Sequence, residues 1–173
     1  DVRITKKYKT PLEVNVSDKK GARTYFWQRS EEILGTLDTA NLSLIKNAKL
    51  LYVDWYDGDT HILRAMNEAR RHNVPVFLNF EHGHQHPELL KKYSGLVTVC
   101  QAVTDAAQIG KKQAMLGVAR KLINSGIKTA IITMASQGCM AVQGDEIIRA
   151  YAPKVKAVDA SGAGATFSSG YVY

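Results

Sequence analysis

The segment Asp159-Ala160-Ser161-Gly162-Ala163-Gly164-Ala165-Thr166-Phe167 sets a carboxyl and a hydroxyl beside three tiny residues, just ahead of an apolar helix face at Phe167 and Val172. Ser161 is a candidate cap. A helix that begins in Gly162-Ala163-Gly164 exposes its first N–H groups without side-chain cover, and with the helix dipole behind them those donors suit an anion such as a phosphate. The segment has no Gly-Lys-Ser/Thr, so it is not a Walker-type loop, and its glycine spacing does not fit a dinucleotide fingerprint. A tightly packed helix start without a ligand would use the same residues.

Two further loops carry chemistry-bearing groups. Thr133-Met134-Ala135-Ser136-Gln137-Gly138 follows a buried strand at Thr129–Ile132. A small-residue turn there can bring backbone N–H groups and a hydroxyl to phosphate oxygens, or simply lead into the next strand. Glu81-His82-Gly83-His84-Gln85-His86 follows a strand at Val76–Phe80 and holds three histidines on alternate positions. In an extended segment they would share one side without fixing a tetrahedron, and no distant ligand is identifiable. A polar loop leading into a helix at Pro87 is the simpler expectation.

These loops need a frame that delivers them to one place. From about residue 38 the sequence alternates helices and strands. It reads as a short helix Leu42–Ala48, a strand Leu50–Val53, a helix Asp59–His72, and strands Val74–Leu78 and Leu96–Cys100. An amphipathic helix Lys112–Asn124 stopped by Ser125-Gly126 comes next. A strand Lys128–Thr133 and a hairpin of Gly138–Gln143 with Glu146–Tyr151 complete the series. The pattern predicts an α/β fold, a mainly parallel sheet flanked by helices. Ligands of such sheets bind beyond the carboxyl ends of the strands, where the three loops fall.

Residues 1–30 differ. Val2–Tyr8, Leu12–Ser17 and Ala22–Gln28 read as short strands, the last two joined by a turn at Ser17–Gly21. Eight Lys/Arg stand there against three Asp/Glu. The expected boundaries are a small β layer over 1–30 and an α/β core over 31–173.

Composition narrows the classes. The 173-residue chain has a formal net charge of +7, with 45% apolar and 23% charged residues. That excludes a disordered or low-complexity chain, and no apolar run approaches the ~18 residues of a membrane span. The basic excess suits either nucleic acid or a small phosphorylated anion. No aromatic-interleaved basic stretch supports nucleic acid. Cys100 and Cys139 lie in apolar stretches without C-x-x-C spacing, as reduced, packed thiols of a cytoplasmic protein would. No signal or transit pattern is present. The chain begins at Asp1 and ends at Tyr173 inside a predicted helix, so an internal fragment is expected.

Asp159–Phe167 resembles the C-terminal signature of the ribokinase-like (PfkB-type) carbohydrate kinases, Asp-Thr-Thr-Gly-Ala-Gly-Asp-x-Phe. Thr133–Gly138 is similar to the same family's Thr-Leu-Gly-x-x-Gly turn near the nucleotide. The N-terminal strands, with Thr10-Pro11 and Gly21-Ala22-Arg23-Thr24, match the small sheet that serves the family as a lid over the sugar. The resemblance implies a ribokinase-like fold with a β lid over 1–30 and a partial kinase core over 31–173. It implies ATP-dependent phosphorylation of a sugar or nucleoside hydroxyl, with Mg²⁺ at the phosphates. Gly162, Ala163 and Gly164 would form the anion hole, and Thr133, Ala135 and Gly138 would lie near the nucleotide phosphates. Asp159 and Ser161 fall where some members bind a monovalent cation such as K⁺. Of the aromatic run Tyr25-Phe26-Trp27, strand alternation sets Phe26 opposite the other two, and Phe26 is a candidate substrate contact. Lids of many relatives pair, which implies a homodimer here.

The departures from the family pattern bear on catalysis. Ala165 stands at the position of the base aspartate and cannot accept a proton. Ala135 replaces a glycine. The Asn-x-x-Glu motif that helps organise magnesium has no clear counterpart; the nearest text is Gln101-Ala102-Val103-Thr104-Asp105. The family's glycine-rich sugar segment and adenine-enclosing region are also missing from this sequence. Two functions are therefore expected to compete. One is a sugar or nucleoside kinase represented by an incomplete or base-deleted chain. The other is a non-catalytic sugar- or nucleotide-binding protein on the same fold.

Overall fold

The computed structural model describes residues 6–7, 9–18, 23–28, 35–55, 61–104, 111–156 and 159–173. The chain divides into two compact units, Asp1–Asn41 and Leu42–Tyr173.

In the first unit, β1 (Leu12–Ser17) and β2 (Arg23–Gln28) form an antiparallel pair. Val14 sits opposite Phe26 and Leu12 opposite Gln28, so Leu12, Val14, Val16 and Phe26 share one face while Tyr25 and Trp27 share the other. All of these side chains are exposed. The expected strand Val2–Tyr8 and most of the Ser17–Gly21 turn lie outside the described residues. A 3₁₀ turn at Gly35–Thr39 lies near the end of this unit.

The second unit holds a six-stranded sheet in sequential order: β3 (Leu51–Asp54), β4 (Val76–Glu81), β5 (Val99–Val103), β6 (Thr129–Thr133), β7 (Cys139–Gln143) and β8 (Glu146–Ala150). The first four are parallel, and β7 and β8 return antiparallel. Three helices make the crossovers: α1 (Ile62–Arg71), α2 (Pro87–Ser94) and α3 (Lys112–Asn124). Right-handed crossovers that always step the same way put all three helices on one face. Their apolar stripes, with Met66, Ala69, Leu90, Tyr93, Met115 and Leu122, close the core against Val76, Leu78, Phe80, Cys100, Ala130 and Ile132. Gly126, at φ 100°, turns the chain out of α3 as Ser125-Gly126 led one to expect.

The opposite face receives α4 (Ala163–Val172). Tyr171 packs on Phe77 with ring centroids 5.6 Å apart, and Ser168 donates a hydrogen bond to Gln101 Oε1 at 2.8 Å, both residues being buried. Across this face a row runs from polar to apolar: Asp54, Asn79, Gln101, Ile131, Ala141, Ile148.

One sequence expectation shifts. The expected strand Leu96–Cys100 is displaced to Val99–Val103, because Leu96 and Val97 spend their N–H groups on Tyr93 and Ser94 carbonyls in the turn that ends α2. Val97 is buried in the core all the same, so hydrophobicity alone misplaced the strand. Leu42–Asn47 is the expected short helix, of 3₁₀ type; α1 runs over Ile62–Arg71, and the expected start at Asp59 lies outside the described residues.

Candidate functional site

A cavity of about 620 Å³ opens at the carboxyl ends of β5 and β6, walled by Gln101, Thr104, Thr133, Ala135 and Gly138 on the sheet side and by Ala163 and Gly164 of α4. Five of the residues singled out in the sequence thus meet there: Thr133, Ala135, Gly138, Ala163 and Gly164. Asp159 and Ser161 line instead a larger, mostly apolar cavity of about 1070 Å³ between α4 and β6–β8. Ala165 is on the first turn of α4 as expected, exposed, and in the wall of neither cavity.

The helix start differs from expectation in its cap. The N-cap of α4 is Gly162, in the left-handed region at φ 74°, and no side chain caps the helix. Ser161 is engaged otherwise: its N–H donates to Asp159 Oδ1 at 2.8 Å, a local turn that leads the chain into the glycine. The Ala163 N–H donates to Ala160 O at 3.2 Å, and Thr166 is the first to bond back within the helix, to Gly162 O at 2.8 Å. The N–H groups that a helix start leaves over are then those of Gly164 and Ala165. A Cβ built on Gly162 or Gly164 would meet nothing within 4 Å, so the approach to these donors is open.

The facing turn is wound tightly. Ala135–Gln137 makes one 3₁₀ turn, with Met134 N–H on Gly138 O at 2.8 Å and Gly138 N–H on Ala135 O at 3.0 Å. Ala135 takes φ 48° and Gly138 φ 86°. Thr133 Oγ1 donates to Ala102 O at 3.4 Å, tying β6 to β5. Thr104, from the stretch nearest in text to the magnesium motif, is buried in the cavity wall, and its hydroxyl has no hydrogen-bond partner among the described residues.

Sequence reasoning missed a polar group next to these loops. Asn79, 3% exposed, donates through Nδ2 to Asp54 Oδ1 at 2.8 Å and to Glu81 Oε1 at 3.1 Å. Two carboxylates at the ends of β3 and β4 are thus joined through one fixed amide, and Glu81 reaches the cavity wall. Burial raises the Tyr52 phenol pKa; hydrogen bonding from Ser168 and Asn79 lowers it, and the charges of Asp54 and Glu81 raise it further. The signal in the sequence was an asparagine inside the buried strand Val-Phe-Leu-Asn-Phe.

The histidines are not in an extended segment. They bracket a 3₁₀ turn at Gly83–Gln85, with His84 buried and its Nδ1 3.2 Å from Glu81 O. Among the described residues no group of three His, Cys, Asp or Glu is arranged to hold a metal. Cys100 and Cys139 are free thiols. Burial pushes both upward in pKa, with a backbone hydrogen bond at Ala150 opposing this for Cys139. Both are therefore poor nucleophiles at neutral pH. No helix of the described residues is long and apolar enough to cross a membrane.

With this geometry in view, the chain matches the model of the pfkB family carbohydrate kinases over residues 1–173. It is 23% identical over 177 aligned residues to an ATP-dependent 6-phosphofructokinase of Thermoanaerobacterium thermosaccharolyticum, covering 95% of this chain and 55% of that protein. In structure it is similar to a Burkholderia thailandensis nucleoside kinase in complex with inosine, at TM-score 0.74 and 17% identity over 95% of this chain and 53% of that one. It is likewise similar to an Arabidopsis thaliana ribokinase complexed with ribose and ATP, at TM-score 0.66 and 17% identity over 94% and 55%. The chain spans about half the length of these relatives.

Proposed function

Because the chain belongs to the pfkB family of carbohydrate kinases, we propose that it carries the phosphoryl-transfer site of an ATP-dependent kinase acting on a sugar or nucleoside hydroxyl. The observation that supports this best is the uncovered start of α4, with Gly164 in the wall of a cavity that also contains the Thr133–Gly138 turn. A left-handed glycine at the N-cap and free first-turn N–H groups form a pre-aimed anion site. Phosphoryl transfer asks mainly for such positioning and charge stabilisation.

The donors present are compatible with Mg²⁺ as the family implies. The cavity wall offers Glu81 and the hydroxyls of Thr104 and Thr133, and magnesium leaves most of its positions to phosphate oxygens and water. Bound there, the ion would neutralise phosphate charge. Asp159 and Ser161 remain the proposed pair for a monovalent cation such as K⁺. Phe26 is proposed as a substrate contact, and the reaction is assigned to the cytoplasm.

The β1–β2 pair exposes apolar side chains on both faces, and an isolated two-stranded sheet is marginal in water. We therefore expect a homodimer through this layer. Light scattering on the intact protein checks it: a strict monomer at high concentration would count against the dimer.

The test of the anion hole is Gly164→Val. A Cβ at Gly164 meets nothing within 4 Å, so the substitution is expected to leave the fold intact while its side chain occupies the anion's place. ATP and inorganic phosphate should bind at least about tenfold more weakly, about 1.4 kcal/mol. Unchanged affinity in a folded variant would remove the anion-hole reading.

A second reading rests on Ala165. Without a proton acceptor there, the same site serves a non-catalytic sugar- or nucleotide-binding protein.

A further inference from the structure

We propose that the open edge of β8 is an interface between two copies of this chain, paired antiparallel about a two-fold axis at Ile147. The inference does not depend on the kinase reading. β8 stands last in the strand order, so one side of it has no neighbouring strand among the described residues. The two-residue turn Gly144-Asp145 makes Gln143 and Glu146 a hydrogen-bonded pair. Such pairs alternate along an antiparallel ladder, so Ile147 and Arg149 turn their N–H and C=O groups to the open side. An edge of this kind is a template for a further strand. It carries Ile147 and Ile148 at 46% and 65% exposure, and the charges that flank them do not repel a second copy, because they are complementary.

The residue order selects the partner and the register. A two-fold axis perpendicular to the sheet keeps each face on its own side, so residues opposite one another must be an even number of positions apart. With the axis at Ile147, that residue meets its own copy, and Asp145 stands opposite Arg149 of the partner subunit at both ends of the ladder. With the axis at Ile148, Arg149 faces an isoleucine and gains no carboxylate. With the axis at Arg149, like charges oppose each other, which is unfavourable.

Both charges are available for this pairing. Among the described residues neither Asp145 nor Arg149 forms an ion pair within the chain. Arg149 lies 4.7 Å over the Tyr151 ring, and its buried Nε has no hydrogen-bond partner. The same edge offers an apolar seat. Asp145 and Ile147 line a groove of about 450 Å³ with Val142 and with Leu116 and Ile123 of α3. Pairing there would join the two sheets into one continuous sheet, with the two Ile147 side chains closing the groove at the axis.

The test measures self-association of the full-length protein by sedimentation, in a Phe26→Lys background chosen to remove pairing through the β1–β2 layer. Asp145→Arg sets arginine against Arg149, and Arg149→Asp sets aspartate against Asp145, so each variant alone should self-associate at least about tenfold more weakly. An equimolar mixture of the two restores both opposite-charge pairs and should associate within about threefold of the parent. Ile147→Lys is the control should Arg149→Asp fail to fold. Its site is half-exposed, and two ammonium groups meeting at the axis should again weaken association at least about tenfold.

A strictly monomeric parent at high concentration overturns the proposal, and would mean that the remainder of the full-length protein covers the edge. Unchanged association in Ile147→Lys also overturns it, by placing the contact elsewhere. A mixture that associates no more tightly than either charge variant alone removes the register and the proposal with it.

Discussion

Ala165→Asp raises substrate-dependent ADP release at least about tenfold, toward the lower end of the ~10²–10⁴-fold range for a positioned general base. The position tolerates the change. Ala165 is exposed on the first turn of α4, so an aspartate displaces no packed neighbour, and a carboxylate in a first helical turn interacts favourably with the dipole. The same charge stands near the anion site and repels phosphate, so ATP and substrate affinities must be measured alongside the rate. Only a gain at matched affinities belongs to the chemical step and not to uniform binding. The parent protein should bind ATP and turn over slowly. If the variant folds, binds ATP and substrate as the parent does, and shows no added turnover across a broad panel, the kinase reading fails and the binding protein takes its place.

The fold was legible because its signals are periodic. Alternating strands and helices from about residue 38 onward predict a mainly parallel sheet, and the parallel β3–β6 with α1–α3 on one face bear this out. Boundaries failed where apolar residues serve packing outside regular elements, as Val97 does in the turn after α2. That the glycine-rich segment opens a helix without side-chain cover could be read from residue size alone. Its details could not, since whether Ser161 or Gly162 caps α4 depends on Asp159 capturing the Ser161 N–H. The Asp54–Asn79–Glu81 group was hidden for another reason. Its members are 25 and 2 residues apart, and only the β3–β4 register and the irregularity at Glu81 unite them. Positive φ at a non-glycine residue such as Glu81 or Ala135 leaves no mark in the sequence.

Gly138→Ala costs about 3 kcal/mol or more of stability, the sum of two penalties that share one cause. Gly138 lies at φ 86° and ψ −136°, near a region that side-chain-bearing residues enter only at about 1–3 kcal/mol. A Cβ there would also collide with Ala150 O and stand 2.8 Å from Ala152 N and Tyr151 Cα. These are backbone atoms at and just beyond the end of β8, which pairs with β7 directly after the turn. They cannot swing aside as a flexible side chain would, and forcing extra atoms into close packing costs a further ~1–3 kcal/mol. Ala135 gives the opposite sign in the same turn. It holds φ 48°, where an L-residue is disfavoured, so Ala135→Gly should gain up to about 1 kcal/mol, the relief of strain being partly offset by the greater unfolded-state freedom of glycine. Urea unfolding at constant m-value reads both. A Gly138→Ala midpoint equal to the parent's would mean that β8 can move away from the turn, and the tight wall this turn gives the cavity would go with it.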